Sequence, residues 1–225
     1  MKKLSEKAWN VSLPVVKAIK QHPFNMELAS GTLALDKFAC YIEQDTLYLQ
    51  DFARCHAMIA SRIPLEYVRC FLRYADYAFI TEQEIVHHFF RENFKLKETG
   101  IITPATLCYT SYLLKTCASE PIEIAIAAVL PCFWVYREVG LSIAQHADQK
   151  NPFSRWIETY SSEDFASTVN EAIGILDVVA KNATEEIHDR MIDAFYKSTV
   201  LEWHFWNDAY NKTVLDGFLN GNHWV

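Results

Sequence analysis

Residues 125–140 read AIAAVLPCFWVYREVG. Apolar positions recur at Ala125, Ala128, Val129, Cys132, Tyr136 and Val139, and again at Ile143, the i, i+3, i+4, i+7 spacing of one helix face. The expected buried face carries one thiol, Cys132, with the phenol of Tyr136 a turn later. Pro131 stands directly before the thiol and has no N–H for the carbonyl of Ala127, so a kink is expected there. The carbonyl so released needs another donor, a water or a ligand. Taken alone, a bent core helix with a buried cysteine accounts for the segment, because free cysteine is among the most buried residue types.

Helical period continues outward in both directions. A first helix is expected over Lys3 to Gln21, restarting at Pro14, and a short one over Asn25–Ser30, ended by Gly31. Leu35, Phe38, Ile42, Leu49, Phe52, His56 and Ile59 trace the stripe of a long helix from Leu35 to Arg62. Pro64 opens the next stretch as a first-turn proline, and a capping box at Thr81-x-x-Glu84 restarts it before Ile85–Phe94. Thr103-Pro104 begins the helix of Tyr109 and Tyr112, and Pro121 begins the Cys132 helix. Asn151-Pro152 starts a short helix with Trp156 and Tyr160, Ser161 and Ser162 precede another, and Thr184 starts the last, which runs to about Asn211. No strand, repeat or Pro/Gly/Ser-rich linker interrupts this pattern. The expected architecture is an all-α, single-domain helical bundle over residues 1–225.

Composition agrees with that architecture. At 51% hydrophobic and 22% charged, 225 residues suffice for a full core, and six glycines with seven prolines leave little room for disorder. The balance of 21 basic and 28 acidic residues gives a net charge of −7 without a basic cluster, which argues against nucleic acid or an anionic membrane as a partner. The opening MKKLSEKAWNVSLP lacks the apolar core of a secretory signal, and no run approaches the roughly 18 apolar residues of a membrane span. Six cysteines without a Cys-x-x-Cys pair read as reduced thiols, so a cytoplasmic location is expected.

Polar residues on apolar faces carry the functional signal. Asp45 lies inside its helix stripe, three residues after Ile42 and four before Leu49, with Tyr48 at i+3. An unpaired carboxylate there costs several kcal/mol or takes up a proton. Asp45 is therefore either paired with a buried Tyr or Arg or in contact with a ligand. Glu202 repeats the pattern among Trp203, Phe205 and Trp206, surroundings that favour the protonated form of a general acid. A buried ion pair is its other reading. One thiol and two carboxylates thus point inward from three helices, and Tyr48, Tyr109, Tyr112, Tyr136 and Tyr160 supply donors and flat walls. Such a pocket suits a flat, uncharged heteroaromatic small molecule better than a phosphate. Glu84-x-x-His87 and Glu185-x-x-His188 have the spacing of a ferritin-like di-metal site, but two further inward glutamates are missing, and Glu43 points away from its stripe. His22, before Pro23 at a helix end, is a weak haem-ligand signal.

Several segments together resemble a known family: HPFNMELASGTLALDKFACYIEQDTLYLQDFAR (22–54), PATLCYTSYL (104–113), AIAAVLPCFWVYREVG (125–140), NPFSRWIETYSS (151–162) and LEWHFW (201–206). In this order they resemble the TenA/thiaminase II family over nearly the whole chain. The resemblance implies a haem-oxygenase-like fold without haem, metal or other cofactor, and a homotetramer. It implies an aminopyrimidine aminohydrolase of thiamin salvage, acting on 4-amino-5-aminomethyl-2-methylpyrimidine and able to split thiamin. Matched by motif, Cys132 stands where the family has its nucleophile and Glu202 where it has its acid/base. Asp45 stands where the amino-pyrimidine edge is bound, and Tyr48, Tyr109, Tyr136, Tyr160 and Phe205 at pocket positions; Tyr112 is the alternative to Tyr109. A pyrimidine-binding or regulatory protein without turnover is the alternative of another class, and a ferritin-like di-metal protein the third.

Overall fold

The computed structural model describes residues 2–78, 87–96, 99–148 and 150–214. These form ten helices in chain order: α1 (Leu4–Lys20), α2 (Pro23–Ser30), α3 (Leu35–Ala60), α4 (Leu65–Asp76), α5 (His88–Phe94), α6 (Pro104–Ser119), α7 (Ile122–Ala144), α8 (Ser154–Ser161), α9 (Glu163–Ala180) and α10 (Glu185–Asn211). There is no strand among the described residues. The fold class matches the expectation from periodicity.

At the centre lies α7, packed against α10, α8, α9 and α6. Residues 124–131 are buried without interruption, so α7 is enclosed on all sides and not along one stripe as its spacing suggested. By length and composition it would also pass for a membrane span, which the sequence reading did not allow for; 72% of that window is buried inside the bundle. Its apolarity serves helix packing. The helix also continues through Pro131, just as α1 continues through Pro14, so neither proline divides its helix. Only one backbone bond is forfeited at each, and flanking packing holds the rest.

Helix starts follow local chemistry. Thr103, Ser162 and Thr184 cap α6, α9 and α10 by accepting from the N–H three residues on. Gly31 ends α2 at a φ of 71°, the left-handed conformation for which glycine carries no steric cost. Pro64 and Pro121 occupy the cap itself and not the first turn. The capping box at Thr81-x-x-Glu84 lies outside the described residues.

Two devices set the bundle around its interior. Glu43, expected to point away from the stripe, is buried; it accepts the N–H groups of Thr99 at 2.5 Å and Gly100 at 2.6 Å. Its neighbour Gln44 donates to the Ile101 carbonyl at 2.7 Å and accepts from Thr103 N at 2.9 Å. Together they fix the chain entering α6 against α3, and Asp208 of α10 accepts from Ala105 N at 2.8 Å at the same helix start. The second device is Gly140, where a Cβ would sit 2.8 Å from the backbone of Tyr160. Only a glycine lets α8 press this closely on α7.

Candidate active site

Side chains from α3, α7 and α8 meet in one cavity lined by Asp45, Leu49, Phe52, Cys132, Phe133, Tyr136 and Tyr160, with Tyr77, Ala78 and Phe165 closing it. In this structure it is nearly closed, with a volume of only about 10 Å³. The rings crowd it closely, so a heteroaromatic ligand must displace wall side chains on entry. Cys132 is half-buried, the exposure of a thiol facing a cavity and not of one sealed in core. Tyr136 stacks obliquely on Trp206 at 4.8 Å and on Tyr160 at 5.0 Å between ring centroids, which fixes that wall.

Asp45 is paired, with a buried Tyr as expected and with a His that was not. His87 Nε2 lies 2.9 Å from Oδ2, and Tyr41, one turn earlier in α3, donates to the same oxygen at 3.4 Å. Trp156 in turn donates to Tyr41 Oη at 3.0 Å. Beyond His87 the chain of bonds reaches Thr46 and Arg91. The carboxylate that spacing marked as misplaced therefore sits at the end of a polar network, with its residue on the cavity wall.

Behind the cavity, Glu202 of α10 is buried and accepts from Tyr109 Oη at 2.8 Å. Burial raises its pKa to about 8; the charge of Asp45 adds to this, and the Tyr109 hydrogen bond opposes it. Glu202 is a neutral acid near pH 7. Tyr48 lies between the two groups, its ring 4.9 Å from Tyr109 and 5.8 Å from Phe205. Its hydroxyl meets no ordinary hydrogen-bond geometry. Its pKa is raised well above the usual phenol value, first by burial and then by the charges of Cys132, Tyr109 and Glu202 beside it. Phenols of raised pKa stay protonated, so Tyr48 and Tyr109 act as O–H donors. All eight residues singled out from the sequence thus belong to one connected group around α3, α6, α7, α8 and α10.

Tyr112 faces elsewhere, into an open groove between α6 and α10 with Cys108, Tyr196, Leu201 and His204. Tyr109, fully buried against Glu202, is the inward one of the two. Of the di-metal pattern, His188 holds the Ala180 carbonyl at 2.7 Å and His87 holds Asp45, while Glu84 lies outside the described residues. No group of three His, Cys, Asp or Glu suited to a metal occurs among the described residues. His22 caps α2 by accepting from Phe24 N at 3.2 Å. Sequence reasoning missed Tyr41, His87 and Trp156 as members of the site. Tyr41 was discoverable, being one turn before Asp45; His87 was not, since its pairing spans 42 positions of loop and helix.

The model of the TENA/THI-4/PQQC family matches residues 11–212. The chain belongs to that family. A curated member, the aminopyrimidine aminohydrolase of Bacillus subtilis, is 34% identical over 198 residues, covering 85% of this chain and 83% of its own. A TenA homologue from Pyrococcus furiosus superposes with a TM-score of 0.87 at 19% identity, covering 92% of this chain and all of that one. A domain with a haem-oxygenase-like fold from Shewanella denitrificans does so at 0.69 and 18% identity, covering 92% of each. This member of the TENA/THI-4/PQQC family therefore has the haem-oxygenase-like helical fold.

Proposed function

We propose that this protein is an aminopyrimidine aminohydrolase of thiamin salvage, hydrolysing 4-amino-5-aminomethyl-2-methylpyrimidine to the hydroxymethyl pyrimidine and ammonia, and able to split thiamin into pyrimidine and thiazole. Membership of the family and the B. subtilis relative named for this activity support the hydrolase class. The observation that carries the reading is the buried Glu202, held by Tyr109 behind a cavity that Cys132 and Asp45 line.

The bond to be broken joins an exocyclic methylene to an amine and offers no carbonyl to attack. Addition of the Cys132 thiolate to a ring carbon interrupts aromaticity and lets the ring electrons expel the amine. Glu202, protonated near neutral pH, gives its proton to the departing nitrogen, which leaves as ammonia. The resulting carboxylate takes a proton from water as the oxygen adds to the methylene. The sulfur bond then breaks, and the ring regains its aromaticity. Asp45 binds the amino edge of the pyrimidine and so decides which ring carbon faces sulfur. Tyr136 and Tyr160 supply flat walls for the ring; Tyr48 and Phe205, in ring contact with each other, take the same role by the family resemblance, and Tyr109 orients Glu202.

The reading includes a homotetramer in the cytoplasm and no metal or cofactor. The apolar groove between α6 and α10, lined by Cys108, Tyr112, Tyr196 and Leu201, is a surface that assembly would cover. A monomeric mass in solution would remove that part. The activity is tested by incubating purified protein with the aminomethyl pyrimidine and following hydroxymethyl pyrimidine and ammonia together. Tight pyrimidine binding with neither product would make it a binding protein instead.

A further inference from the structure

His87 has no part in the mechanism above, yet both nitrogens of its buried ring are engaged: Nε2 lies 2.9 Å from Asp45 Oδ2 and Nδ1 lies 3.0 Å from Thr46 Oγ1. The protons along this chain can be counted. Thr46 sends its hydroxyl hydrogen back to the Ile42 carbonyl at 2.8 Å, the usual habit of threonine inside a helix. Arg91 donates to the same hydroxyl oxygen at 2.7 Å. With its hydrogen spent, Thr46 Oγ1 meets His87 as an acceptor, so Nδ1 carries a hydrogen. On the other side, Nε2 and Oδ2 would face each other as two lone pairs unless one proton lies between them. Tyr41 does not supply it, because its hydroxyl accepts from Trp156 and only shares its own hydrogen with Oδ2 at 3.4 Å.

Besides the hydrogen on Nδ1, one proton lies between Nε2 and Oδ2, so the pair carries no net charge, the condition under which a carboxylate tolerates burial. Oδ1 enters none of these bonds, and Asp45 lines the Cys132 cavity. We infer that His87 is a positioning residue: as the cationic partner on Oδ2 it keeps Asp45 ionised, so that Oδ1 accepts a hydrogen bond from the exocyclic amine of the pyrimidine. The inference rests on the aminopyrimidine reading of this cavity and deepens it. The pair selects a ring that offers an N–H at that edge and rejects one that offers a carbonyl oxygen, since two acceptors would then meet.

Among the described residues, the other groups bearing on Asp45 and His87 are Tyr41 and Thr46 from α3, Arg91 from α5, Tyr136 from α7, Trp156 from α8 and Glu202 from α10. Arg91 is cationic throughout, and Glu202 ionises only toward pH 8. The remainder stay neutral.

The test is His87→Gln in the full chain, which keeps an N–H toward Oδ2 but cannot hold the proton. KM and kcat for the aminomethyl pyrimidine are measured across about pH 5 to 9. The expected result is a KM raised about tenfold or more with kcat within about threefold, because Asp45 loses the partner that fixes its orientation toward the amine. In an Asp45→Asn background the same change should add nothing to KM. Wild-type KM in His87→Gln would overturn the inference and leave the aminopyrimidine reading standing. Wild-type protein that neither binds nor converts the aminopyrimidine would overturn both. A readout independent of substrate is the side-chain nitrogen–proton NMR spectrum of the wild-type protein. A hydrogen on His87 Nδ1 is expected, and an unprotonated Nδ1 overturns the inference even if the Gln variant does not fold.

Discussion

Asp45 and His56 sit on the same helix, eleven residues apart or about three turns, and both are fully inside the protein. Their surroundings are opposite. Asp45 ends a chain of hydrogen bonds through His87 and Tyr41 and faces the cavity. His56 has no partner for either ring nitrogen; Phe52, Phe133, Phe71 and Tyr74 surround it at centroid distances of 4.4, 5.4, 5.8 and 5.7 Å. Burial alone drives its pKa down to about 3, so it stays a neutral ring and packs as an aromatic side chain would. Phe52 and Phe133 belong to both regions, lining the cavity on one side and covering His56 on the other. A buried titratable group is thus no mark of a site by itself. Its partners and its access to a cavity decide.

The sharpest way to break this contrast is to remove the thiol. Cys132→Ala should lower turnover of the aminomethyl pyrimidine on the order of a thousandfold or more, measured as ammonia release. His56→Leu, one aromatic layer away, should leave it within about threefold. Equal losses in the two variants would erase the distinction.

Glu202→Gln comes next, with an expected loss of about 10²- to 10⁴-fold in kcat. The same residue should leave a signature in stability. Folded Glu202 keeps its proton up to about pH 8, whereas an unfolded glutamate releases it from about 4.5 upward. Between those values the unfolded state binds fewer protons, so wild-type stability falls as pH rises, by on the order of a few kcal/mol in all. Denaturant titrations at pH 5 and pH 9 check the sign, and the Gln variant should show a flatter profile over that range.

His56 predicts the reverse slope. Its folded pKa is depressed to about 3 from 6.5, so the stability it secures is complete above about pH 6.5 and lost as pH falls toward 3. His56→Leu should remove that acid sensitivity, again read from denaturant midpoints. The smallest effect expected is that of Gly140→Ala. A methyl group 2.8 Å from the Tyr160 backbone has to push α8 outward, at about 1–3 kcal/mol, with KM affected more than kcat because Tyr160 walls the cavity. Thermal unfolding and KM together check it.

The helices were legible because apolar spacing and capping residues are local, and packing reinforced what the local pattern asked for. Asp45 and Glu202 were legible for the converse reason: each breaks an apolar stripe, and a buried carboxylate needs a cause. The continuous α1 shows where a local rule lost: Pro14 does not restart the helix. Pro131 and Pro14 each remove one hydrogen bond, but the helices around them are held by packing on several sides. Glu43 failed in the other direction, since its helix position gave no hint that it would clasp the N–H groups of Thr99 and Gly100.

The sequence by itself determined the all-helical architecture and the family, because periodicity and motif order are properties of the chain alone; of the eight residues it singled out, Asp45, Cys132, Tyr136 and Tyr160 line the cavity. Tertiary structure decided which charge meets which partner. His87 joined to Asp45, Tyr109 and not Tyr112 turned to Glu202, and a lone His56 sealed among rings all depend on contacts between distant helices. Those contacts set local solvation and hydrogen bonding, and through them which buried groups carry a proton.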